Sequence, residues 1–304
     1  MTNLLHDISW VVDLRSETLT PIFQVFTALG YPNLIMIGLA LAYWLWDKSA
    51  ATRLMVIVVL STLINAFLKD YWQNPRPDAM FRLDSEVGTS FGMPSGHAQV
   101  SAVLWFYLAY ELKRLWAWCF ASFVVSGICF SRLYLGVHDL EDILVGLSIA
   151  LVSLVVYIGL LRSDLIKEKA ASLELNLLVF VLLGVVLRIA WPEAANSIDA
   201  IVVVALPIAW LLGKRLAERM GVHTSTSQQT NMLKLIAISI AGVIALIMLM
   251  WALGYVISLI APEISGFLIT VVLGLHVTLL GPMLFKLLKL TSVSYTHLTL
   301  PTKA

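Results

Sequence analysis

Long apolar stretches recur along this chain at close to the length that crosses a bilayer, and that repetition constrains the fold more than any other feature. Runs of about 15 to 26 mainly apolar residues occupy 31–46, 54–69, 97–111, 115–132, 142–161, 174–191, 197–213, 235–260 and 264–287, with short polar breaks between them. A helix needs about 20 residues to cross the hydrocarbon and about 17 at the least; the first three runs are short by that measure, and the count does not fix their edges. Only 13% of the 304 residues are charged and 60% are hydrophobic, with a mean hydropathy of +0.89. A soluble domain carries about 25% charge, so lipid is the solvent for most of this chain. The expected fold is all-α, a polytopic transmembrane helix bundle of about nine spans. The formal net charge of +1 gives no electrostatic case for a nucleic-acid partner.

The segment from Leu4 to Gly30 alternates polar and apolar residues, with Phe23, Val25, Phe26 and Leu29 at helical spacing. It reads as an N-terminal interfacial amphipathic helix, with an additional span as the alternative. Asp7, Asp13, Arg15 and Glu17 interrupt any apolar run there and no basic region precedes it, so it does not read as a secretory signal. Three units are expected: 1–162 as a core, 163–290 as additional transmembrane helices, and 291–304 as a disordered or non-native tail, rich in Ser and Thr and assigned no function. Cys119 and Cys129 lie ten residues apart in one run. On a helix that is about 15 Å, too far for a disulfide.

Loop charge predicts orientation, because cytoplasmic loops are enriched in Lys and Arg. One alternate set of loops carries thirteen basic residues: Lys48, Arg53, Lys113, Arg114, Arg162, Lys167, Lys169, Lys214, Arg215, Arg219, Lys234, Lys286 and Lys289. The opposite set carries six: Arg15, Lys69, Arg76, Arg82, Arg132 and Arg188. The 70–96 and 132–141 loops are therefore expected on the outer face.

Those outer loops hold the residues that carry chemistry. Lys69 is followed by Arg76 and Pro77, Pro94-Ser95-Gly96-His97 opens the third run, and Ser131-Arg132 is followed by His138 and Asp142. Together they bring three cations, two imidazoles, a carboxylate and a helix start to one membrane face, an inventory that suits a phosphate group. Lys69, Arg76 and Arg132 can neutralise phosphate oxygens, the arginines bidentately. Ser95 reads as an N-cap that would turn the amides of Gly96 and His97 toward an anion. His138 and Asp142, four residues apart, would share a helix face about 6 Å apart along the axis. The carboxylate could then hold one imidazole nitrogen and leave the other free to attack.

These segments resemble the three signature motifs of the type 2 phosphatidic acid phosphatase family, K-x6-R-P, P-S-G-H and S-R-x5-H-x3-D, with every specified position filled. The resemblance spans about residues 69–142, and the spans beyond about 162 depart from the minimal family domain. It implies that His138 is the nucleophile of a phosphohistidine intermediate and that Asp142 orients it. It makes His97 the acid for the leaving oxygen and then the base for water, and assigns Lys69, Arg76, Arg132, Ser95 and Gly96 to phosphate binding. It implies no cofactor and no metal, and a lipid phosphate or pyrophosphate in the bilayer as substrate, such as phosphatidate, phosphatidylglycerol phosphate, undecaprenyl pyrophosphate or a sphingoid phosphate. A bacterial inner membrane with the site facing the periplasm or exterior is the expected setting. A vanadate haloperoxidase shares the motif chemistry, but the hydropathy argues against that soluble class. A lipid transporter or flippase on a phosphatase core is the alternative, prompted by the extra spans.

Taken singly, each residue has a plainer reading. Lys69 or Arg132 would be a snorkelling anchor and His97 a cap; their joint spacing is what points to a site. His276 is expected to pack or hydrogen-bond within its span, and His6 and His223 to be solvated. Trp72, Phe81, Phe91 and Met93 read as an interfacial aromatic belt or as lining for lipid entry.

Overall fold

The computed structural model describes residues 5–84, 87, 90–163, 173–192, 200–222, 231–257, 259 and 262–290. Among them every regular element is helical. In chain order these are α1 (Ser9–Val12), α2 (Leu19–Ala28), α3 (Pro32–Leu45), α4 (Lys48–Trp72), α5 (Gly96–Leu112), α6 (Leu115–Tyr134), α7 (Leu140–Arg162), α8 (Leu173–Ala190), α9 (Ala200–Arg219), α10 (Met232–Ile257), α11 (Pro262–Leu275) and α12 (Gly281–Leu287). A π-helical turn, His276–Leu280, joins α11 to α12. His223, Lys167, Lys169 and the 291–304 tail lie outside the described residues.

A helix runs through the described part of each of the nine apolar runs. Among the described residues, six stretches are long and apolar enough to cross a membrane: α4, α6, α7, α8, α10 and the 266–287 stretch. The bent pair α2 and α3, at 56°, adds a seventh if it is one span. The other two expected spans, α5 and α9, fall outside that set. α5 has 17 residues and packs against α4, α6 and α7. Its Ala98, Val103 and Tyr107 are fully buried, so other helices rather than lipid form much of its surroundings. α9 carries Lys214, Arg215, Glu218 and Arg219 in its last two turns.

The 4–30 segment departs from a single interfacial helix. It holds a single turn, α1, and a separate α2 whose aromatic side packs on α6. Phe23 stacks at 5.0 Å on Phe130 and 4.5 Å on Tyr134, and Phe26 meets Phe123 edge-on at 5.7 Å. Arg15 ties the segment down by donating to the carbonyls of Tyr134 at 3.0 Å and Phe81 at 2.6 Å. The apolar stripe thus has a protein partner for its aromatic residues.

Helix ends follow local chemistry. Asp47, Ser95 and Asp139 cap α4, α5 and α7 by accepting from the amides of Ala50, Ala98 and Asp142. α4 and α5 stop at Gln73 and Lys113, both left-handed. The helices before and after Arg162 share one buried core that includes Tyr43, Trp44, Trp210, Val277 and Phe285. Trp44 donates its indole N–H to Val277 O at 2.8 Å, and Trp210 donates to Thr52 Oγ1 at 3.1 Å. His276 is buried edge-on to Trp44 at 5.9 Å, the packing role its sequence context suggests. Cys119 and Cys129 are both free.

The turn between α6 and α7 needs glycine at Gly136. Its φ is +71°, and an added Cβ would lie 2.0 Å from Phe81 O. Left-handed backbone costs a residue with a side chain about 1–2 kcal/mol, and the backbone contact must also shift. Gly136→Ala should therefore lose at least about 1 kcal/mol of stability, read as a lower midpoint in thermal unfolding of detergent-solubilised protein.

Candidate active site

One end of the bundle gathers the end of α4 with Lys69, the start of α5 with Ser95 and His97, the end of α6 with Arg132, and the start of α7 with His138 and Asp142. Side-chain contacts then draw these elements together. Exposure is 8% for Lys69, 2% for Arg132 and His138 and 1% for Asp142, so the charges sit away from bulk water and need partners.

The centre is the His138–Asp142 pair. His138 Nδ1 lies 2.8 Å from Asp142 Oδ2. Arg76 Nη1 lies 3.0 Å from His138 Nε2. Guanidinium can only donate, so Nε2 is the acceptor and Nδ1 carries the proton given to Asp142. The lone pair on Nε2 therefore points toward Arg76. This geometry differs in one respect from the helix-face expectation: α7 begins at Leu140, so His138 stands in the preceding loop. Asp139 caps the helix, accepting from Asp142 N at 2.9 Å, and the cap sets the His138–Asp142 approach. Burial first, then the charges of Arg76, Lys69 and Arg132, holds the His138 pKa well below its ordinary value.

The cations are each anchored. Arg76 Nε donates to Ser90 O at 2.7 Å, and its Nη1 also donates to Val137 O at 3.0 Å. Burial, followed by the nearby Arg132 charge, lowers its pKa to about 10, still protonated at neutral pH. Lys69 Nζ donates to Phe91 O and, at 2.8 Å, to Gly92 O. Gly92 lets that loop close over the pair: a Cβ there would stand 3.0 Å from Asp142 Oδ2. Ser95 is fully buried, caps α5, and donates its backbone N–H to Asp142 O at 2.9 Å. Gly96 lies against Asn65, where a Cβ would stand 3.0 Å from Oδ1.

His97 and Arg132 complete the set. The His97 ring lies edge-on to Tyr31 at 4.8 Å. Its Nε2 is enclosed without a hydrogen-bond partner among the described residues, and so is Arg132 Nε. Arg132 Nη1 donates to Thr27 Oγ1 and, at 2.8 Å, to Asp84 Oδ2. Tyr31 OH in turn donates to the Asp84 carboxylate at 2.7 Å.

Several contributors were not singled out from sequence. Asp84, Tyr31 and Thr27 hold Arg132 across separations that no local spacing reveals. Asn65 Nδ2 donates to Pro94 O at 3.1 Å and to Gln99 Oε1 at 2.9 Å, fastening the Pro94–His97 turn to α4. The available signal was the amides themselves, polar residues inside apolar runs. His6 is exposed, as its polar flank suggests, and it also meets the start of α7: Nδ1 lies 2.7 Å from Asp139 Oδ2 and Nε2 3.3 Å from Glu141, while Leu5 O accepts from Leu140 N. The hydrogen bond to Asp139 raises its pKa. Phe81 and Phe91 contribute carbonyls to Arg15 and Lys69, whereas Trp72 is exposed. No group of three or more His, Cys, Asp or Glu side chains able to hold a metal occurs among the described residues.

Arg132 and Asp84 form a buried ion pair, and removing one partner of such a pair leaves an uncompensated charge, at a cost of about 3–5 kcal/mol. Asp84→Ala should lower stability by about that amount and Tyr31→Phe by only about 1 kcal/mol. Thermal or denaturant unfolding in detergent measures both; an unchanged midpoint for Asp84→Ala would remove this pair from the account.

Known proteins share this arrangement's sequence frame. The profile of the PAP2 superfamily matches residues 50–163, which contain all three motif segments. Mouse sphingosine-1-phosphate phosphatase 2 is 32% identical over 139 residues, 43% of this chain and 39% of that protein. Phosphatidylglycerophosphatase B of Bacillus subtilis is 28% identical over 156 residues, 45% of this chain and 73% of that protein. The crystal structure of a transmembrane PAP2 type phosphatidylglycerolphosphate phosphatase from Bacillus subtilis superposes with a TM-score of 0.44 at 28% identity, covering 50% of this chain and 81% of that one. This chain thus spans well under half the length of the mouse relative. From the end of the first turn of α4 to the close of α7, residues 50–163 are a PAP2 superfamily domain.

Proposed function

We propose that this protein is a metal-independent lipid phosphate phosphatase. The observation that carries the reading is the His138 imidazole, held through Nδ1 by Asp142 with its Nε2 lone pair 3.0 Å from Arg76 Nη1. A phosphate gripped by Arg76 would lie at the nucleophile. The enclosed, unpartnered His97 Nε2 and Arg132 Nε supply a proton-transfer group and a further donor for that phosphate.

In this mechanism, His138 Nε2 attacks phosphorus while the bond to the lipid oxygen breaks. His97 gives its proton to the departing oxygen, and Asp142 balances the charge gained by the His138 ring. His97 then takes a proton from water, whose oxygen attacks phosphorus. The P–N bond breaks and inorganic phosphate is released. Lys69, Arg76 and Arg132, with Ser95 and Gly96 at the helix start, stabilise the negative charge that builds on the phosphoryl oxygens, commonly the largest catalytic contribution. The named relatives act on sphingosine-1-phosphate, phosphatidylglycerophosphate and, in a yeast dolichyldiphosphatase, dolichyl diphosphate. What they have in common is a phosphate on a lipid, and that class is assigned here. The setting we propose is a bacterial inner membrane with the site facing the periplasm.

Phosphate release from a panel of lipid phosphates tests the reading. Purified protein in EDTA should release phosphate, and His138→Ala should lower the rate by a factor of about 10³ or more. His97→Ala should slow poor leaving groups more than good ones; equal loss for both would remove His97 as the acid.

The depressed His138 pKa keeps its Nε2 lone pair available below the ordinary histidine range. The acid limb of kcat/KM, corrected for ionisation of the substrate phosphate, should therefore fall below pH 6.5. A limb at or above 6.5 would show that His138 is not held neutral.

Orientation is tested by single cysteines in a variant lacking Cys119 and Cys129. A cysteine replacing exposed Met80 should react with an impermeant maleimide in intact cells, and one replacing Arg114 only after the membrane is opened. The reverse pattern would put the site in the cytoplasm.

A further inference from the structure

A cavity of about 650 Å³ lies at the opposite end of the bundle from the phosphatase site, within the size range of small-molecule sites. Its wall comes from α4, α7, α8 and α9, so the helices beyond the PAP2 domain complete it. Arg53 and Lys69 lie sixteen residues apart on α4; at 1.5 Å per residue they are about 24 Å apart along the axis. No lipid phosphate held at Arg53 could reach His138.

The lining is amphipathic along its depth. Val56, Leu60, Val179, Phe180 and Leu183 make its inner part apolar. Arg53, Lys214, Arg215 and Glu218 line the part formed by the start of α4 and the end of α9. From Arg53 to Leu60 the α4 wall runs about 10 Å into the apolar layer. Arg53 is engaged by Glu111 at 2.8 and 2.9 Å, and Arg215 Nη1 stands 3.6 Å from Glu218. Lys214 has no ion-pair partner among the described residues, and Lys48 lies near enough to feel its charge. Glu111 answers Arg53 and Glu218 answers Arg215, while no ion pair among the described residues involves Lys48 or Lys214.

We propose that this cavity is a binding site for one acidic phospholipid of the leaflet opposite the catalytic site. An acyl chain lies along Val56, Leu60, Phe180 and Leu183, and the headgroup phosphate rests on Lys214 and Arg215. Three features argue for a lipid over a soluble anion or a peptide. The inner wall is apolar and offers no row of backbone partners, the cationic groups sit where helices reach the membrane surface, and basic pockets between transmembrane helices recognise anionic headgroups. The site is separate from the phosphatase chemistry and does not depend on it. The helices after Arg162 thereby hold a structural or regulatory lipid against the back of the catalytic domain.

Native mass spectrometry of the full chain from micelles doped with equal dioleoylphosphatidylglycerol and dioleoylphosphatidylcholine tests this. One phosphatidylglycerol should be retained per chain, about tenfold over phosphatidylcholine. Lys214→Ala with Arg215→Ala should erase that preference, and Leu183→Trp, which fills the slot, should abolish retention of both lipids. Unfolding midpoints close to the parent value establish that the variants are folded; Leu183→Phe replaces Leu183→Trp if the larger side chain disrupts folding. Arg76→Ala should leave retention unchanged. Equal retention of the two lipids overturns the proposal, as does retention unaffected by both cavity variants. Loss of phosphatidylglycerol on Arg76→Ala alone also overturns it, because the lipid would then sit at the catalytic end.

Discussion

Burying Lys69, Arg132, His138 and Asp142 at one end of an apolar bundle is the constraint on which the rest of the structure depends. Isolated ions lose several kcal/mol each when taken from water, so such a cluster persists only if every charge meets an opposite charge or a directed dipole. Here Asp142 faces His138, Asp84 faces Arg132, and the carbonyls of Phe91 and Gly92 face Lys69. Most of those partners come from the 73–95 loop or the turn before α7. The loops fold over the helix ends because the charges there need them.

The same requirement accounts for the N-terminal segment. Arg15 fastens it to Tyr134 and Phe81, Thr27 and Tyr31 serve Arg132 and Asp84, and His6 closes on Asp139 and Glu141. Aromatic packing of Phe23 and Phe26 on α6 adds burial to those polar ties. Residues before the PAP2 domain therefore form part of the site's surroundings. α5, shielded by three helices, can carry Gln99 and Ser101 because those neighbours, rather than hydrocarbon, surround them.

The helices after Arg162 extend the core of the domain. Trp44 reaches Val277, Tyr43 and Thr52 meet Trp210, and Trp191 donates to Asp70 Oδ2 at 2.7 Å, one residue from Lys69. Contacts of this kind fix the outer face of α4, whose C-terminal end carries Lys69. Support of α4 from behind and enclosure of a cavity against it are two consequences of the same packing.

Apolar run length determined that this chain is a helical membrane protein, because a bilayer admits few other folds for about 20 unbroken apolar residues. Motif spacing named the residues that meet at the site, since Lys69, Arg76, His97, Arg132, His138 and Asp142 recur at separations fixed by helix ends and tight turns. Local chemistry also gave the Ser95 cap. Tertiary structure alone decided what pairs with Arg132, because Thr27 and Asp84 stand 105 and 48 residues away and the sequence contains many equivalent Thr and Asp side chains. It decided that His138 stands in a loop, that α2 packs on α6, and that α8 and α9 wall a cavity. Those outcomes depend on which faces meet across the bundle, and a one-dimensional pattern of apolar residues leaves the rotation and neighbours of each helix open.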